Sequence, residues 1–198
     1  MYISPSLLDP DNAGVRKETI MSNNLTKKLV FSAMAIALAL VTSRIRLFKM
    51  PMGGSITPFS MLFVTLIGYW FGLKHGLTAA VAYGLLRVLI SDSGNVSIVQ
   101  VLMDYPLAFG ALGLSGFFKD HKWGLYTGYI VGVCGRFIFS TLSGILFFAQ
   151  YAPEGMSAWR YSASYNGGYM AAEAVMTLIL LAIPVVSKGL KRVGEMAK

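Results

Sequence analysis

The chain has 198 residues and a net charge of +8; 55% of its residues are hydrophobic, only 13% are charged, and its mean hydropathy is +0.60. Soluble domains carry about 25% charged residues, so the composition excludes an ordinary soluble domain and indicates an integral membrane protein. Basic residues at the ends of membrane spans explain the net charge better than nucleic-acid binding, and no nucleic-acid partner is expected.

The first 24 residues differ from the rest of the chain. Residues 1–24 are polar, and they lack the basic start, apolar core and cleavage site of a signal peptide. Met21, shortly before Lys27 and Lys28, is a second plausible start. This stretch is therefore predicted to be a disordered tail or a wrongly assigned start, with Met1 and Met21 both open. Residues 25–198 are predicted to form one membrane domain.

Six apolar runs are candidate membrane-spanning helices, for which about 17–25 residues are typical and fewer suffice when a span stays short of the full thickness. The runs cover residues 29–47, 58–73, 76–91, 97–118, 124–149 and 166–187. Six spans place both termini on one side of the membrane. Lys and Arg are concentrated on that side, so both termini are predicted to be cytoplasmic, and the connection 151–166 is predicted to be external.

Motifs for common chemistry are missing from the sequence. It contains no Gly-x-x-x-x-Gly-Lys-Ser/Thr phosphate-binding loop. His75 and His121 fall in predicted inner loops, and the single Cys134 has no acidic cluster beside it, so no metal site is predicted. Without a histidine at membrane depth to activate a serine, the chain is predicted not to be an enzyme, and no cofactor is expected.

Small residues repeat along the first predicted span. Ala33 and Ala37 lie one turn apart on one helix face, and Ala35 and Ala39 lie on another. Alanines at this spacing let a second helix approach closely in lipid. Spacing alone leaves two interpretations open, packing within the bundle and contact with a partner protein.

Four ionisable residues lie within or close to the predicted spans: Arg87, Asp104, Arg136 and Glu173. At 1.5 Å per residue all four fall in the outer half of the membrane, where charges normally face the interior and pair. An ion-pair network containing Asp104 and Arg136 is therefore expected. In a different class of function, Asp104 and Glu173 would carry protons or sodium in a stand-alone secondary transporter, although the chain shows no inverted repeat.

The connection 151–166 is unusually aromatic. It contains Tyr151, Trp159, Tyr161 and Tyr165, and it ends at Asn166. Aromatic rings with one amide at the mouth of a helix bundle suit a pocket for a small flat organic molecule. An interfacial aromatic belt is the alternative, which explains Trp159 most easily. A structural subunit without a ligand would leave this mouth unexplained.

Several tracts together resemble a known family. They are Gly53-Gly54-Ser55-Ile56, Asp104-Tyr105-Pro106-Leu107-Ala108-Phe109, Arg136-Phe137-Ile138, Ser143-Gly144, Tyr151-Ala152-Pro153-Glu154-Gly155-Met156, Tyr161 and Asn166. In order and spacing, from about Lys28 to the C-terminus, they are similar to the thiamine-specific substrate-binding (S) components of energy-coupling factor (ECF) transporters.

The resemblance implies an all-α, six-transmembrane-helix S-component bundle in the cytoplasmic membrane. It implies a thiamine pocket near the outer face, closed by the loop after the first span. The expected partners are a transmembrane coupling protein and two ATPase subunits, which would hydrolyse the ATP. In this family the alanine face of the first helix contacts the coupling protein, which favours that role for Ala33 and Ala37.

The same resemblance identifies candidate pocket residues. Tyr161, Asn166 and Gly144 fall where the family has a ligand-binding tyrosine, asparagine and glycine. At four other positions the chain departs from the family pattern. Met50 and Phe148 stand in place of tryptophans, Ser140 in place of a histidine, and Gln100 in place of the carboxylate that faces the thiazolium cation.

The loss of that carboxylate matters because an unpaired buried cation costs several kcal/mol. Glu173 or Asp104 is the expected substitute counter-charge. Phe148 can still stack on a pyrimidine ring, whereas Met50 covers a ring without a strong cation–π face. The predicted ligand is therefore thiamine or a relative such as its neutral hydroxymethylpyrimidine half.

Overall fold

The computed structural model describes residues 10–51, 54–91 and 97–197, with side chains from residue 24 onward. Met1 and Gly53 lie outside the described residues. The long helices are α1 (Pro10–Arg44), α2 (Ser60–Phe71), α3 (Leu73–Ile90), α6 (Gly124–Phe147), α7 (Ala158–Ala182) and α8 (Pro184–Met196). A two-stranded antiparallel hairpin, β1 (Phe48–Lys49) and β2 (Ser55–Ile56), follows α1 with Phe48 opposite Ile56.

The described helices are those of an all-α membrane protein. Four segments are long and apolar enough to cross a membrane: Asn24–Arg44, Leu73–Ile90, Ile98–Phe118 and Gly124–Phe147. The α7–α8 pair adds a fifth if the bent pair is one span, and α2 is a shorter apolar helix. The predicted spans 58–73, 76–91, 97–118 and 124–149 each agree with helical segments to within a few residues.

The predicted bounds of the last span, 166–187, are wrong at both ends. α7 begins earlier because the side chain of Ser157 caps it, with its Oγ accepting a hydrogen bond from the Arg160 amide at 3.4 Å. It ends at Ala182 because Pro184 starts a new helix, and the chain bends there by 88°. Consequently Tyr161 and Asn166 lie on α7 and not in a flexible connection.

The segment Ile98–Phe118 corresponds to the fourth predicted span, 97–118, and is called the fourth span below. Its helical type changes several times along its length. It contains α4 (Ile98–Leu102), a π-helical turn (Met103–Leu107), α5 (Ala108–Gly110) and a 3₁₀ stretch (Ala111–Phe118). Pro106 lies inside the π-helical turn and has no amide hydrogen to donate, so a regular α-helical ladder cannot continue there. Such turns are frequent at functional sites, and this one contains Asp104.

Glycines allow α2, α3 and the fourth span to approach closely. Gly72, with φ +90°, lets α3 start immediately after α2, a conformation that favours glycine. A Cβ on Gly76 would lie 2.5 Å from the Cα of Gly68, and one on Gly113 would lie 2.6 Å from the Gly76 backbone. Small residues at such contacts allow helices to pack in lipid. The alanine spacing of α1 carried no indication of this glycine contact.

The two alanine faces of α1 have different surroundings. Ala35 and Ala39 are buried against the bundle. Ala33 and Ala37 are exposed, as are the neighbouring side chains Met34 and Leu38. One alanine pair therefore packs within the bundle and the other faces outward.

The contact between α3 and the fourth span predicts a large penalty for one added methyl group. We expect Gly113→Ala to lower stability by about 1–3 kcal/mol because its Cβ has no room against the Gly76 backbone. Thermal unfolding of the detergent-purified protein measures the effect. The matched control is Gly168→Ala, whose Cβ would meet nothing within 4 Å and whose helix should be unchanged or slightly stabilised. Equal unfolding midpoints for the two variants would contradict this packing.

Candidate functional site

A polar cavity lies beneath the hairpin. Its volume is about 80 Å³, and it is lined by residues from α1, the segment after α1, α2, α3, the fourth span, α6 and α7. The lining residues are Ser43, Gly54, Ser55, Thr57, Ser60, Tyr83, Arg87, Phe109, Arg136 and Tyr169. Hydroxyl groups, two guanidinium groups and aromatic rings thus converge where six helical segments meet, which supplies convergent polar groups of the kind that orient a small ligand.

The hairpin is held against α7 by Tyr165. The Tyr165 hydroxyl accepts a hydrogen bond from the Gly54 amide at 2.9 Å and donates one to the Pro51 carbonyl. A Cβ on Gly54 would lie 2.7 Å from that hydroxyl, so this close approach requires glycine. Tyr161 and Tyr169 flank Tyr165 on the same face of α7, with ring centroids 6.2 and 5.9 Å away. The hairpin therefore covers the cavity and is held there by contacts with these tyrosines of α7.

Glu173 joins α7 to the start of α2. Its side chain is 2% exposed, and its carboxylate accepts hydrogen bonds from Thr57 Oγ1 at 2.7 Å and Ser60 Oγ at 3.0 Å. The backbone amide of Met61, in the first turn of α2, donates a third at 2.9 Å. A helix N-terminus attracts negative charge, so this position suits a carboxylate. Both Glu173 oxygens are thus engaged, and two cavity-lining residues are fixed by them.

Two arginines and one phenylalanine form the inner wall of the cavity. The Arg136 guanidinium carbon lies 4.3 Å from the centroid of the Phe109 ring, and that of Arg87 lies 5.8 Å from it. Arg87 Nη1 donates a hydrogen bond to Ser43 Oγ at 2.6 Å. The Nε atoms of both arginines are buried and have no hydrogen-bond partner among the described residues. The wall therefore retains unused hydrogen-bond donors.

The expected ion pair between Asp104 and Arg136 is wrong. Within the described ranges, these side chains do not approach within 4.0 Å, and the single salt bridge there joins Lys119 to Asp120. Arg136 instead lies over Phe109, and Asp104 occupies the π-helical turn, where Gln100 and Ser143 are its polar neighbours. The two charges therefore interact only through space and do not form an ion pair.

Three of the predicted pocket residues meet where α6 packs against α7. Asn166 Nδ2 donates to the carbonyls of Ser140 and Ser162 at 3.2 and 3.0 Å, and its Oδ1 accepts from the Tyr169 hydroxyl at 2.9 Å. A Cβ on Gly144 would collide with Ser162, so the glycine permits this close approach. Asn166 is therefore connected to the cavity through Tyr169.

The other four predicted pocket residues lie around these contacts. Gln100 is near Asp104 in the fourth span, and Met50 donates its amide to Gly54 in the hairpin at 2.8 Å. Phe148 follows the last residue of α6, with its ring 6.0 Å from that of Tyr151, and half-buried Tyr161 lies in the first turn of α7. None of the seven predicted residues lines the cavity described above.

Sequence reasoning missed several lining residues. Ser43, Thr57, Ser60 and Tyr83 belong to no motif in the sequence, and Phe109 is included only as the end of one of the family tracts. Arg87 was noted only for its depth, and that depth was the available signal, because a charge inside a membrane is a functional candidate by default. The helix contacts that bring it to Arg136 involve residues distant in sequence.

Comparisons with known proteins show one family. Residues 29–191 match the model of the thiamine transporter protein family (Thia_YuaJ). Thiamine transporter ThiT of Bacillus subtilis (strain 168) is 31% identical over 167 residues, which cover 78% of this chain and 85% of that protein. ThiT of Lacticaseibacillus paracasei is 27% identical over 128 residues, covering 57% of this chain and 64% of that protein.

A solved structure also has the same fold. The structure of ThiT from Listeria monocytogenes aligns with a TM-score of 0.69 and 23% identity, covering 84% of this chain and 96% of that one. Both sequence relatives are named as transporters and not as enzymes. On the family match and the Bacillus relative, the chain belongs to the thiamine transporter protein (Thia_YuaJ) family.

Proposed function

We propose that this protein is the S component of an ECF transporter and takes up thiamine across the cytoplasmic membrane. The observation that carries the proposal is a polar, aromatic cavity beneath the hairpin after α1, in a chain of the thiamine transporter family. In the proposed topology α2 and the α7–α8 pair complete six crossings, and both termini are cytoplasmic.

The thiazolium cation needs a carboxylate, and Asp104 suits that role better than Glu173. Both Glu173 oxygens already accept hydrogen bonds from the Thr57–Met61 segment, so a cation would have to compete with three donors. Asp104 has no ion-pair partner among the described residues, and Gln100 and Ser143 lie beside it. The Ser143 hydroxyl is buried beside the Asp104 carboxylate. We therefore place the cation between the fourth span and α6.

In this proposal the remaining predicted pocket residues line the space around this position. Asn166, Gly144 and Ser140 form one wall at the α6–α7 contact, and Tyr161 and Phe148 supply rings near the outer ends of those helices. Gln100 and Met50 complete the lining in this proposal. A cavity of about 80 Å³ is smaller than the roughly 300–1,000 Å³ of small-molecule pockets. Thiamine therefore enters by displacing the hairpin, whose hold on α7 is the pair of Tyr165 hydrogen bonds.

The outward alanine face of α1 supports assembly with a coupling protein. Ala33 and Ala37 are exposed at a one-turn spacing, whereas the other alanine pair is already used inside the bundle. A transmembrane helix of the coupling protein can approach this face closely. In the proposal, two ATPase subunits bound to that protein supply the energy, because the S component has no phosphate-binding loop of its own.

Ligand binding is tested by titrating the purified protein with thiamine and, in parallel, with hydroxymethylpyrimidine while following tryptophan fluorescence and calorimetric heat. We expect wild-type protein to bind thiamine with submicromolar affinity and Gln100→Glu to bind it more tightly, because a second carboxylate joins Asp104 near the cation. The matched control is Gln150→Glu, an exposed position that adds the same charge. Unchanged or weaker thiamine affinity in Gln100→Glu counts against placing the cation beside Asp104. If the protein binds hydroxymethylpyrimidine and not thiamine, its ligand is the neutral compound.

Coupling is tested by co-purification from the native host. We expect the double variant Ala33→Leu, Ala37→Leu to recover several-fold less coupling protein and ATPase because the larger side chains hold the partner helix away. Its thiamine affinity should stay unchanged. The control Ala171→Leu adds the same bulk at an exposed position on α7. If the double variant and Ala171→Leu recover equal amounts of coupling protein and ATPase, the proposed contact is contradicted. If wild-type protein co-purifies with no ATPase, a stand-alone transporter is favoured.

A further inference from the structure

The last helix, α8, turns away from the direction of α7. It starts at Pro184, where the chain bends by 88°. α7 contains 25 residues, which at 1.5 Å per residue cover about 37 Å, more than the roughly 30 Å of a bilayer's hydrocarbon layer. α7 alone can therefore make the last crossing, and α8 is free to run along the membrane surface.

Contacts with α2 fix the orientation of α8. Trp70 Nε1, near the end of α2, donates a hydrogen bond to the Leu190 carbonyl at 3.0 Å. A Cβ on Gly194 would collide with the Trp70 ring, and Leu190 and Val193 pack against the hydrophobic core. One face of α8 thus lies against the bundle, and the opposite face points away from it.

The face of α8 that points away from the bundle is basic. Lys188, Lys191 and Arg192 lie three and four residues apart, so they share one side of the helix. Glu195 lies on the same side, and three positive groups with one negative group leave a net charge of +2. Among the described residues, no Asp or Glu oxygen lies within 4.0 Å of the three basic groups. Their charges are therefore available to a partner.

An apolar edge accompanies this basic face. Val185 is 80% exposed and Met196 is 57% exposed, and both lie between the basic face and the buried face of α8. A helix with a basic face beside exposed apolar side chains is typical of one that lies in the membrane interface. The edge can enter the apolar layer while the basic groups stay among the headgroups.

Aromatic side chains mark the same level of the bundle. The Tyr126 hydroxyl donates a hydrogen bond at 2.7 Å to the carbonyl of Leu181, three residues before α8. The exposed ring of Trp123 lies 5.9 Å from that of Tyr126. Tryptophan and tyrosine are enriched where the hydrocarbon layer meets the headgroups, so α8 begins at headgroup level.

Other basic side chains lie at this end of the bundle. The Phe31 ring of α1 packs on Trp70 with centroids 6.5 Å apart, and the Lys119 side chain lies beside Gly72, at the start of α3. The exposed basic residues of these neighbouring segments are Lys27, Lys74, Lys119 and Lys122. α8 therefore adds its charge to a surface that is already positive.

We propose that the basic face of α8 binds the headgroups of anionic phospholipids, with α8 lying in the membrane interface. Clusters of basic residues on an amphipathic helix attract anionic lipids. The exposed apolar edge and the neighbouring interfacial aromatics favour a lipid surface over an acidic protein as the partner. This site is separate from the cavity beneath the hairpin and does not depend on the proposed function.

The test uses full-length protein in vesicles that contain brominated phosphatidylglycerol or brominated phosphatidylcholine at the same mole fraction. Brominated chains quench nearby tryptophans. A Trp159→Phe background leaves Trp70 and Trp123, both at the α8 end, as reporters. We expect wild-type protein at low salt to prefer phosphatidylglycerol about fivefold or more, because one basic residue near an anionic surface already contributes about fivefold. High salt should reduce this preference.

Variants assign the preference to α8. A triple variant, Lys188→Gln with Lys191→Gln and Arg192→Gln, should lose most of it. The matched control removes three exposed positive charges near the hairpin end, and it should keep the preference; its changes are Arg46→Gln, Lys49→Gln and Arg160→Gln. The charge-conserving pair Lys188→Arg, Lys191→Arg should also keep it. Thermal unfolding verifies that each variant is folded.

The outcomes decide between a lipid and a protein partner. Equal quenching by the two lipids in wild-type protein overturns the proposal, as does an unchanged preference in a folded triple variant. If the triple variant keeps the lipid preference but recovers less coupling protein and ATPase on co-purification, the basic face contacts a protein and the lipid site is rejected. A preference that is lost only in the triple variant confirms the site.

Discussion

The buried Glu173 carboxylate holds the middle of α7 against the first turn of α2, and the geometry of the cavity depends on this contact. Its oxygens accept hydrogen bonds from Thr57, Ser60 and the Met61 amide, which fixes the short segment between the hairpin and α2. Two of these residues line the cavity. Removing one partner from a buried hydrogen-bonded group costs about 1–3 kcal/mol, so this contact is strong enough to fix the segment.

Because both Glu173 oxygens are engaged in this structural role, the proposed function assigns the cation of the ligand to half-buried Asp104. Asp104 lies in the π-helical turn without an ion-pair partner among the described residues, and Arg136 lies over the Phe109 ring. A bundle that paired these charges internally would gain stability and lose its means of recognising a charged molecule. Their separation is consistent with a receptor whose ligand carries charge.

The sequence was sufficient for the class of protein and for most helices, because hydropathy reports directly on burial in lipid. Its failures have physical causes. Local sequence did not reveal that Ser157 caps α7 or that Pro184 ends it in a sharp bend, so Asn166 was placed at the start of a helix in which it is already well inside. Depth along a helix placed Asp104 and Arg136 at one level but carried no information on the direction of each side chain. The glycine contact between α3 and the fourth span depends on residues far apart in sequence.

The division of roles between buried Glu173 and half-buried Asp104 is the central claim, and thiamine affinity in two isosteric variants tests it most directly. Calorimetric dissociation constants would be measured for Asp104→Asn and Glu173→Gln beside wild type, each with its thermal unfolding midpoint. The account predicts that Asp104→Asn weakens thiamine binding at least tenfold with little change in unfolding, and that Glu173→Gln mainly lowers the unfolding midpoint. Unchanged affinity in Asp104→Asn, with binding lost in a stably folded Glu173→Gln protein, would contradict it.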